Sequence, residues 1–306
     1  MRQIKYFLKL LIPRIILEYR KAFLAKKTKK RGEIIRSHFL SLNKSNLNME
    51  TLQIVEYFED NPFSVFPYTY TKKYKSSDIK VCDDVSCTMK YVIHKSHKLY
   101  FPGNFNCEEV RDYYNGILRE QDEDSPHKYE TPEYTVQKGD IIADIGSAEG
   151  MWALENAEKA ERIYLFECDN NWIQALKKTF EPWKEKTIIV NKYVSNITKG
   201  NDITLDDFLN NNRINFIKAD IEGAEIKLLK GAQKTLTNQK GIKLLLCTYH
   251  RQNDEADIKE FLKKHNSSVE TSKGYMIYIF DENLDFPYVR RGLIRAKTTA
   301  NHHDRF

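Results

Sequence analysis

The sequence has few cysteines, few glycines and no long apolar run. Its five cysteines, at positions 82, 87, 107, 168 and 247, are odd in number and scattered over 306 residues. That spacing excludes a disulfide framework and reads as reduced thiols in a cytoplasm. Cys82 and Cys87 have no second matching pair, which argues against a zinc site. No window of about 18 uncharged apolar residues occurs, so no ordinary membrane-spanning helix is expected. The apolar part of residues 6–17 is broken by Lys9, Pro13 and Arg14, a poor core for a secretion signal. Twelve glycines suffice for turns but not for a low-complexity segment, and no internal repeat is present.

What is present is uneven charge. The net charge of +6 conceals a division within the chain. Residues 1–31 carry eleven Lys and Arg against one acid, Glu18, a net +10, so the rest of the chain sums to −4. Within that head, Ile4, Phe7, Leu8, Leu11 and Ile15 recur at helical spacing between basic residues, and Pro13 should bend the helix. Two readings stand side by side. One is peripheral docking on an anionic membrane surface, at the inner face of the membrane. The other is a helix packed on the body and followed by a disordered basic tail.

The chain divides by pattern into this head, a mixed α+β extension over 32–135, an α/β domain over 136–296 and a tail over 297–306. The extension contains an expected hairpin, 90–94 with 98–101, and a helix over 108–119. From residue 139 short apolar, β-branched runs alternate with helical segments. Strands are expected at 140–144, 162–167, 187–190, 215–219 and 242–248. Helices are expected at 151–160, 171–180, 204–210, 224–236 and 254–264. Two more strands, 268–271 and 275–280, have no helix between them and must pair antiparallel. The pattern predicts a doubly wound, mostly parallel seven-stranded sheet with an antiparallel last strand.

In such a sheet ligands sit at the carboxyl ends of the strands. After the first strand stands Asp144-Ile-Gly-Ser-Ala-Glu-Gly150. Its glycines permit a tight turn, but the dinucleotide fingerprint G-x-G-x-x-G is not met and Glu149 would repel a phosphate. After the second strand, Glu167 is placed to accept hydrogen bonds from two ribose hydroxyls. Tyr193, Val194 and Ser195 could border an adenine ring or be structural. After the fourth strand comes Asp220-Ile-Glu-Gly-Ala-Glu225, where helix capping accounts for Glu222 and Glu225 but less well for Asp220. After the fifth strand, His250 falls beside Asp220 if the two strands are neighbours, an acid/base arrangement.

Several segments together resemble the FkbM-type methyltransferases, a branch of the class I S-adenosylmethionine-dependent enzymes. They are Ser125-Pro-His-Lys-Tyr129, the 144–150 turn, Phe166-Glu-Cys-Asp169, Ile203-Thr-Leu-Asp-Asp207, Ile217-Lys-Ala-Asp-Ile-Glu-Gly-Ala-Glu225, Leu229-Lys-Gly-Ala232 and Cys247-Thr-Tyr-His-Arg251. The resemblance covers about residues 125–296. It implies O-methylation of a sugar, glycan or glycolipid hydroxyl, with S-adenosylmethionine as cofactor. The expected cofactor contacts are Asp144, Gly146, Ser147, Ala148, Glu149, Gly150, Glu167, Cys168, Val194 and Asp220. Asp220 and His250 are the expected proton-transfer residues, with Glu222 behind them. The same trio could instead hold a divalent cation. The loop departs from the common Gly-x-Gly form at Ala148. Other classes remain open: a nicotinamide-dependent sugar oxidoreductase, or a non-catalytic partner-binding module. Nucleic-acid binding is not expected, because the body lacks interleaved aromatic and basic residues.

Overall fold

The computed structural model describes residues 14–299 except Asn266. Among them the chain packs as two units. One runs up to Thr69 and includes Ile277–Tyr288; the other is Tyr70–Met276 with the residues from Val289 onward. The expected boundaries at 31, 135 and 296 do not coincide with these.

In the first unit, helix α1 (Arg14–Leu40) meets α2 (Met49–Asp60). The basic run 26–31 lies inside α1 and is not a disordered tail. Residues 4–13 of the expected apolar face, and the bend at Pro13, lie outside the described residues. Arg31 explains why a distant segment joins this unit: its guanidinium donates to the carbonyls of Ile279, Asp281, Glu282 and Leu284. The Ile277 N–H also donates to the Val65 carbonyl. No described helix is long and apolar enough to cross a membrane.

The second unit opens with strands β1 (Cys82–Asp83), β2 (Lys90–His94) and β3 (His97–Phe101). The β2–β3 hairpin turns on Lys95 and Ser96, both at positive φ, which matches the twist of the strands. Helix α3 (Cys107–Glu120) follows, started by an Asn106–Glu109 capping box. His94 ties the hairpin down, with Nδ1 2.8 Å from the Tyr114 hydroxyl and Nε2 2.7 Å from Glu155.

The main sheet is built from β4 (Ile141–Ile145), β5 (Arg162–Phe166), β6 (Thr187–Val190), β9 (Phe216–Ala219), β10 (Lys243–Cys247), β11 (Ser267–Thr271) and β12 (Leu293–Thr298). A separate short pair, β7 (Tyr193–Val194) and β8 (Asp202–Ile203), lies between β6 and β9 in the chain. Helices α4 (Met151–Glu155), α5 (Asn170–Thr179), α6 (Leu205–Leu209), α7 (Glu225–Lys230), α8 (Gln233–Asn238) and α9 (Asp254–Lys264) connect the strands. The strand order is β11-β12-β10-β9-β4-β5-β6, and only β12 runs antiparallel to its neighbours. The doubly wound sheet expected from the sequence is therefore present.

Its last strand is not where the apolar pattern placed it. Residues 275–280 form no strand; Ile277 onward packs with the first unit. The seventh strand is β12, which inserts between β10 and β11. Arg295 hides this strand in the sequence. It is 4% exposed, and its guanidinium is absorbed by the carbonyls of Lys128 and Tyr129 and by Glu270. The helix expected over 224–236 is also broken, into α7 and α8. At Gly231 an added Cβ would lie 2.0 Å from the Ser195 carbonyl oxygen, so the chain approaches another backbone where the helix stops. The helix expected over 151–160 ends at Glu155, where Asn156 turns its amide to Glu130.

Candidate active site

The strand ends of β4, β5, β9 and β10 converge on one cluster of charge. In the parallel register Asp144 of β4 stands opposite Lys218 of β9, so the two side chains share a face. Lys218 Nζ lies 2.9 Å from Asp144 Oδ1 and donates to the Gly146 carbonyl at 3.0 Å. Both residues are buried, 1% exposed for Asp144 and 4% for Lys218. Burial alone would lower the lysine, but Asp144 and Asp220 hold it charged, well above its ordinary value. Burial pushes the Asp144 carboxyl up, and its Oδ2 has no hydrogen-bond partner.

The glycine turn is set by the sheet beside it. Gly146 has φ +74°, and a Cβ there would stand 2.1 Å from the Asp220 carbonyl oxygen. No other residue fits that approach without moving β9. Gly150, at φ +76°, caps α4 and faces Leu176 and Phe180. Ala148 also adopts a left-handed φ, +45°, so the departure from Gly-x-Gly is borne by a strained alanine. The Ser147 hydroxyl donates to the Asp144 carbonyl at 2.7 Å. Glu167 clamps the turn: it accepts from the Ala148 N–H at 2.9 Å, and from the Cys168 and Asp169 N–H groups at 2.6 and 2.8 Å.

Asp220 is the hub. Its carboxylate accepts from the Tyr129 hydroxyl at 2.9 Å and from the Tyr249 hydroxyl at 3.0 Å. His250 Nε2 is 3.3 Å away, and His127 Nε2 is 3.8 Å away. The other ring nitrogen of His250 faces Glu225 Oε1 at 3.3 Å. Burial opposes charge on both members of the central pair. The mutual hydrogen bond and attraction win, holding Asp220 far below the carboxylate range and raising His250 to about 10. His250 is therefore an imidazolium at neutral pH. In that form it pairs with Asp220 and Glu225. Burial pushes His127 down to about 4, against the attraction of Asp220.

Glu222 is exposed, in a left-handed turn at φ +53°, and the carboxylate that reaches His250 is Glu225, 1% exposed. Val194, at the end of β7, packs in the apolar core with residues such as Leu205 and Leu228. Donor atoms of Asp220, Glu225 and His250 converge within 4.8 Å, as do those of His127, Asp220 and Cys247, so Glu225 replaces Glu222 in the ligand set considered above.

Tyr129, His127, Glu225 and Lys218 were not assigned site roles from the sequence. The Ser125–Tyr129 segment was the available signal for the first two. The loop behind it is fixed from both sides: Glu130 accepts from the Trp152 indole and Asn156 amide, and Arg295 donates to the carbonyls of Lys128 and Tyr129.

A second acidic layer faces this hub from α3. The Tyr113 hydroxyl donates to Glu149 Oε2 at 3.1 Å. Burial pushes Glu149 up to about 7 and Glu120 up to about 8, with repulsion from Asp220 and Glu149 adding to the second. Neither carboxyl pairs with a cation among the described residues. A cleft holding this surplus of negative charge fits a cationic ligand and repels a pyrophosphate. S-adenosylmethionine, with a sulfonium and an ammonium, satisfies that test. Among the described residues, Asp144 Oδ2 and Glu225 Oε2 are buried acceptors with no hydrogen-bond partner.

A family profile described as the methyltransferase FkbM domain matches residues 41–269. A search of the curated proteins found no match. Among solved structures, the methyltransferase FkbM of Methylobacillus flagellatus is 19% identical, with a TM-score of 0.42 over 62% of this chain. This chain spans 53%, about half, of that protein's length. The precorrin-6y C5,15-methyltransferase of Geobacter metallireducens is 15% identical, with a TM-score of 0.37 over 54% of this chain and 84% of its own. A Streptococcus pneumoniae protein solved in complex with S-adenosyl-L-methionine is 18% identical, with a TM-score of 0.35 over 54% of this chain and 69% of its own. The family profile takes in most of the sequence, from before α2 to within β11, and the chain belongs to the FkbM methyltransferase family.

Proposed function

We propose that this chain is an S-adenosylmethionine-dependent O-methyltransferase acting on a hydroxyl of a sugar, glycan or glycolipid intermediate. The observation that carries the cofactor is the strand-end cleft with carboxyls that lack cationic partners. Asp144 and the turn Gly146–Gly150 would hold the amino-acid end. Glu167 would hold the ribose through lone pairs not used on the backbone. The bound cofactor supplies an electrophilic methyl group. Positioning a hydroxyl in line with it can contribute up to about 7–11 kcal/mol.

The hydroxyl proton must also leave, and a general base adds roughly 10²–10⁴-fold. Asp220 is too acidic and too heavily hydrogen-bonded to be efficient in that role. Burial raises the Glu120 and Glu149 carboxyls toward neutrality, which makes them the better acceptors. Asp220, with Tyr129, Tyr249 and the His250 imidazolium, builds the rigid wall beside them.

Calorimetry separates this reading from a nicotinamide oxidoreductase. S-adenosylmethionine should bind saturably, whereas NAD⁺ and NADP⁺ should give no heat; the reverse pattern overturns the reading. A companion proposal places the chain at an anionic membrane surface through its basic head. The full-length protein should pellet with phosphatidylserine vesicles, and replacing Arg2, Lys5 and Lys9 by Glu should abolish this. Pelleting that survives the triple replacement refutes docking by that segment.

A further inference from the structure

We propose that a cavity across α3 from the strand-end cleft binds an acidic sugar, a hydroxyl-bearing ring with one phosphate or carboxylate group. The cavity lies between α3, β2 and the segment 73–82, and its volume is about 400 Å³. That falls within the range of small-ligand sites, roughly 300–1,000 Å³. The methyl-transfer reading assigns no part to it.

Helix geometry places the cavity. Tyr113 and Asn115 of α3 are two residues apart, so they project about 200° from one another around the axis. Tyr113 reaches Glu149 in the glycine turn, whereas Asn115 lines the cavity. Asn115 is 6% exposed, and its Oδ1 accepts no hydrogen bond among the described residues. A buried amide oxygen without a donor is costly, and a ligand hydroxyl entering the cavity would supply one. Two tyrosines of the lining are held in place. The Tyr74 hydroxyl donates to Asp122 at 2.6 Å, and the Tyr114 hydroxyl lies 2.8 Å from His94 Nδ1. Ile93, also in the lining, is 56% exposed, so the carbon face of a ring has apolar surface to cover.

Lysines set the charge of the ligand. Lys73, Lys75 and Lys80 line the cavity against one acid, Asp78. Lys73 is taken up by Asp122 at 3.3 Å and Asp124 at 3.5 Å. Lys75 and Lys80 are exposed, and neither has an ion-pair partner among the described residues. Two uncommitted ammonium groups therefore stand at a cavity whose buried side offers one acceptor. A neutral sugar would leave the lysines unmatched. Inorganic phosphate would leave Asn115 without a carbon-borne hydroxyl and the apolar lining uncovered. An acidic sugar meets all three demands. A lysine ammonium is a point charge without a fixed fork, so it accepts a carboxylate or a phosphate.

Titrations of the full chain followed by nuclear magnetic resonance, without cofactor, test this with glucose 6-phosphate, glucuronate, glucose and inorganic phosphate. The better of the two acidic sugars should bind about tenfold tighter than glucose and than phosphate, and it identifies the acid group. The side-chain amide signal of Asn115 should move as it binds. Lys75→Glu combined with Lys80→Glu should weaken that ligand by about tenfold, the factor for two exposed ion pairs. Asn115→Leu should lower its affinity to that of phosphate. The comparison of the four ligands on the wild-type chain stands even if that last variant misfolds. Glucose or phosphate binding as tightly as the better acidic sugar overturns the inference. So does an unmoved Asn115 signal, an unchanged affinity in the lysine double variant, or no binding of either acidic sugar. None of these outcomes bears on the methyl-transfer reading, because no cofactor is present.

Discussion

Replacing Asp220 by Asn is expected to lower the unfolding free energy by about 2–4 kcal/mol, although the side chain keeps its shape. The carboxylate takes hydrogen bonds from two tyrosines and faces an imidazolium. It also contributes to holding Lys218 charged. An amide offers one acceptor oxygen and turns two N–H donors toward groups that are themselves donors. The buried cations then keep Glu225 and Asp144 alone. Urea unfolding at pH 7 measures the change through a shifted midpoint at constant slope. Tyr249→Phe removes one donor and should cost about 1 kcal/mol. If Asp220→Asn cost no more than Tyr249→Phe, the charge of Asp220 would be solvated, and its place as the hub would be lost.

The second large effect is on pH. His250 is raised from an ordinary 6.5 to about 10, despite burial, by its bonds to Asp220 and Glu225. The folded state therefore binds the proton more tightly than the unfolded state. The resulting stabilisation is complete below pH 6.5 and is lost as pH rises toward 10. At 1.36 kcal/mol per unit, the loss across that window is about 3–5 kcal/mol. Glu120, raised by burial to about 8, acts in the same direction, but between its ordinary value and about pH 8. Variants separate the two. His250→Gln should start less stable at pH 6.5 and flatten most of the slope up to pH 10, whereas Glu120→Gln should reduce the slope below pH 8 and leave the part above it unchanged. A wild-type stability that is flat from pH 6.5 to 9 would show that His250 is neutral in the folded protein.

The sheet was legible wherever a strand is an unbroken apolar run, as in β4, β9 and β10. It was not legible in β12. There Arg295 and Lys297 interrupt the run, and burial of the arginine depends on carbonyls more than 160 residues away. The opposite error occurred at 275–280, where tyrosine, methionine and isoleucine imitate a strand. Those side chains are apolar because the segment joins the first unit, a long-range fact that local periodicity does not encode. In the site, the strand-end rule found Asp144, Glu167, Asp220 and His250. It did not separate Glu222 from Glu225, three residues apart at a helix start. The left-handed backbone at Glu222 settles which one turns inward. Nor could it reach Tyr129 or Glu120, which come from a loop and a helix that precede the sheet.

The clasp of Arg31 has a consequence in time. Its four acceptor carbonyls begin 248 residues further along the chain. At roughly 5–20 residues per second, a ribosome needs about 12–50 s to make that stretch. During that interval the basic helix has been synthesised but its clasp has not, and β10 awaits β12 for the same reason. Neither compact unit can finish as a vectorial, start-to-end event. The newborn chain is therefore held open at both units until nearly all of its described length exists, and factors that guard unfinished chains have that long to act on it.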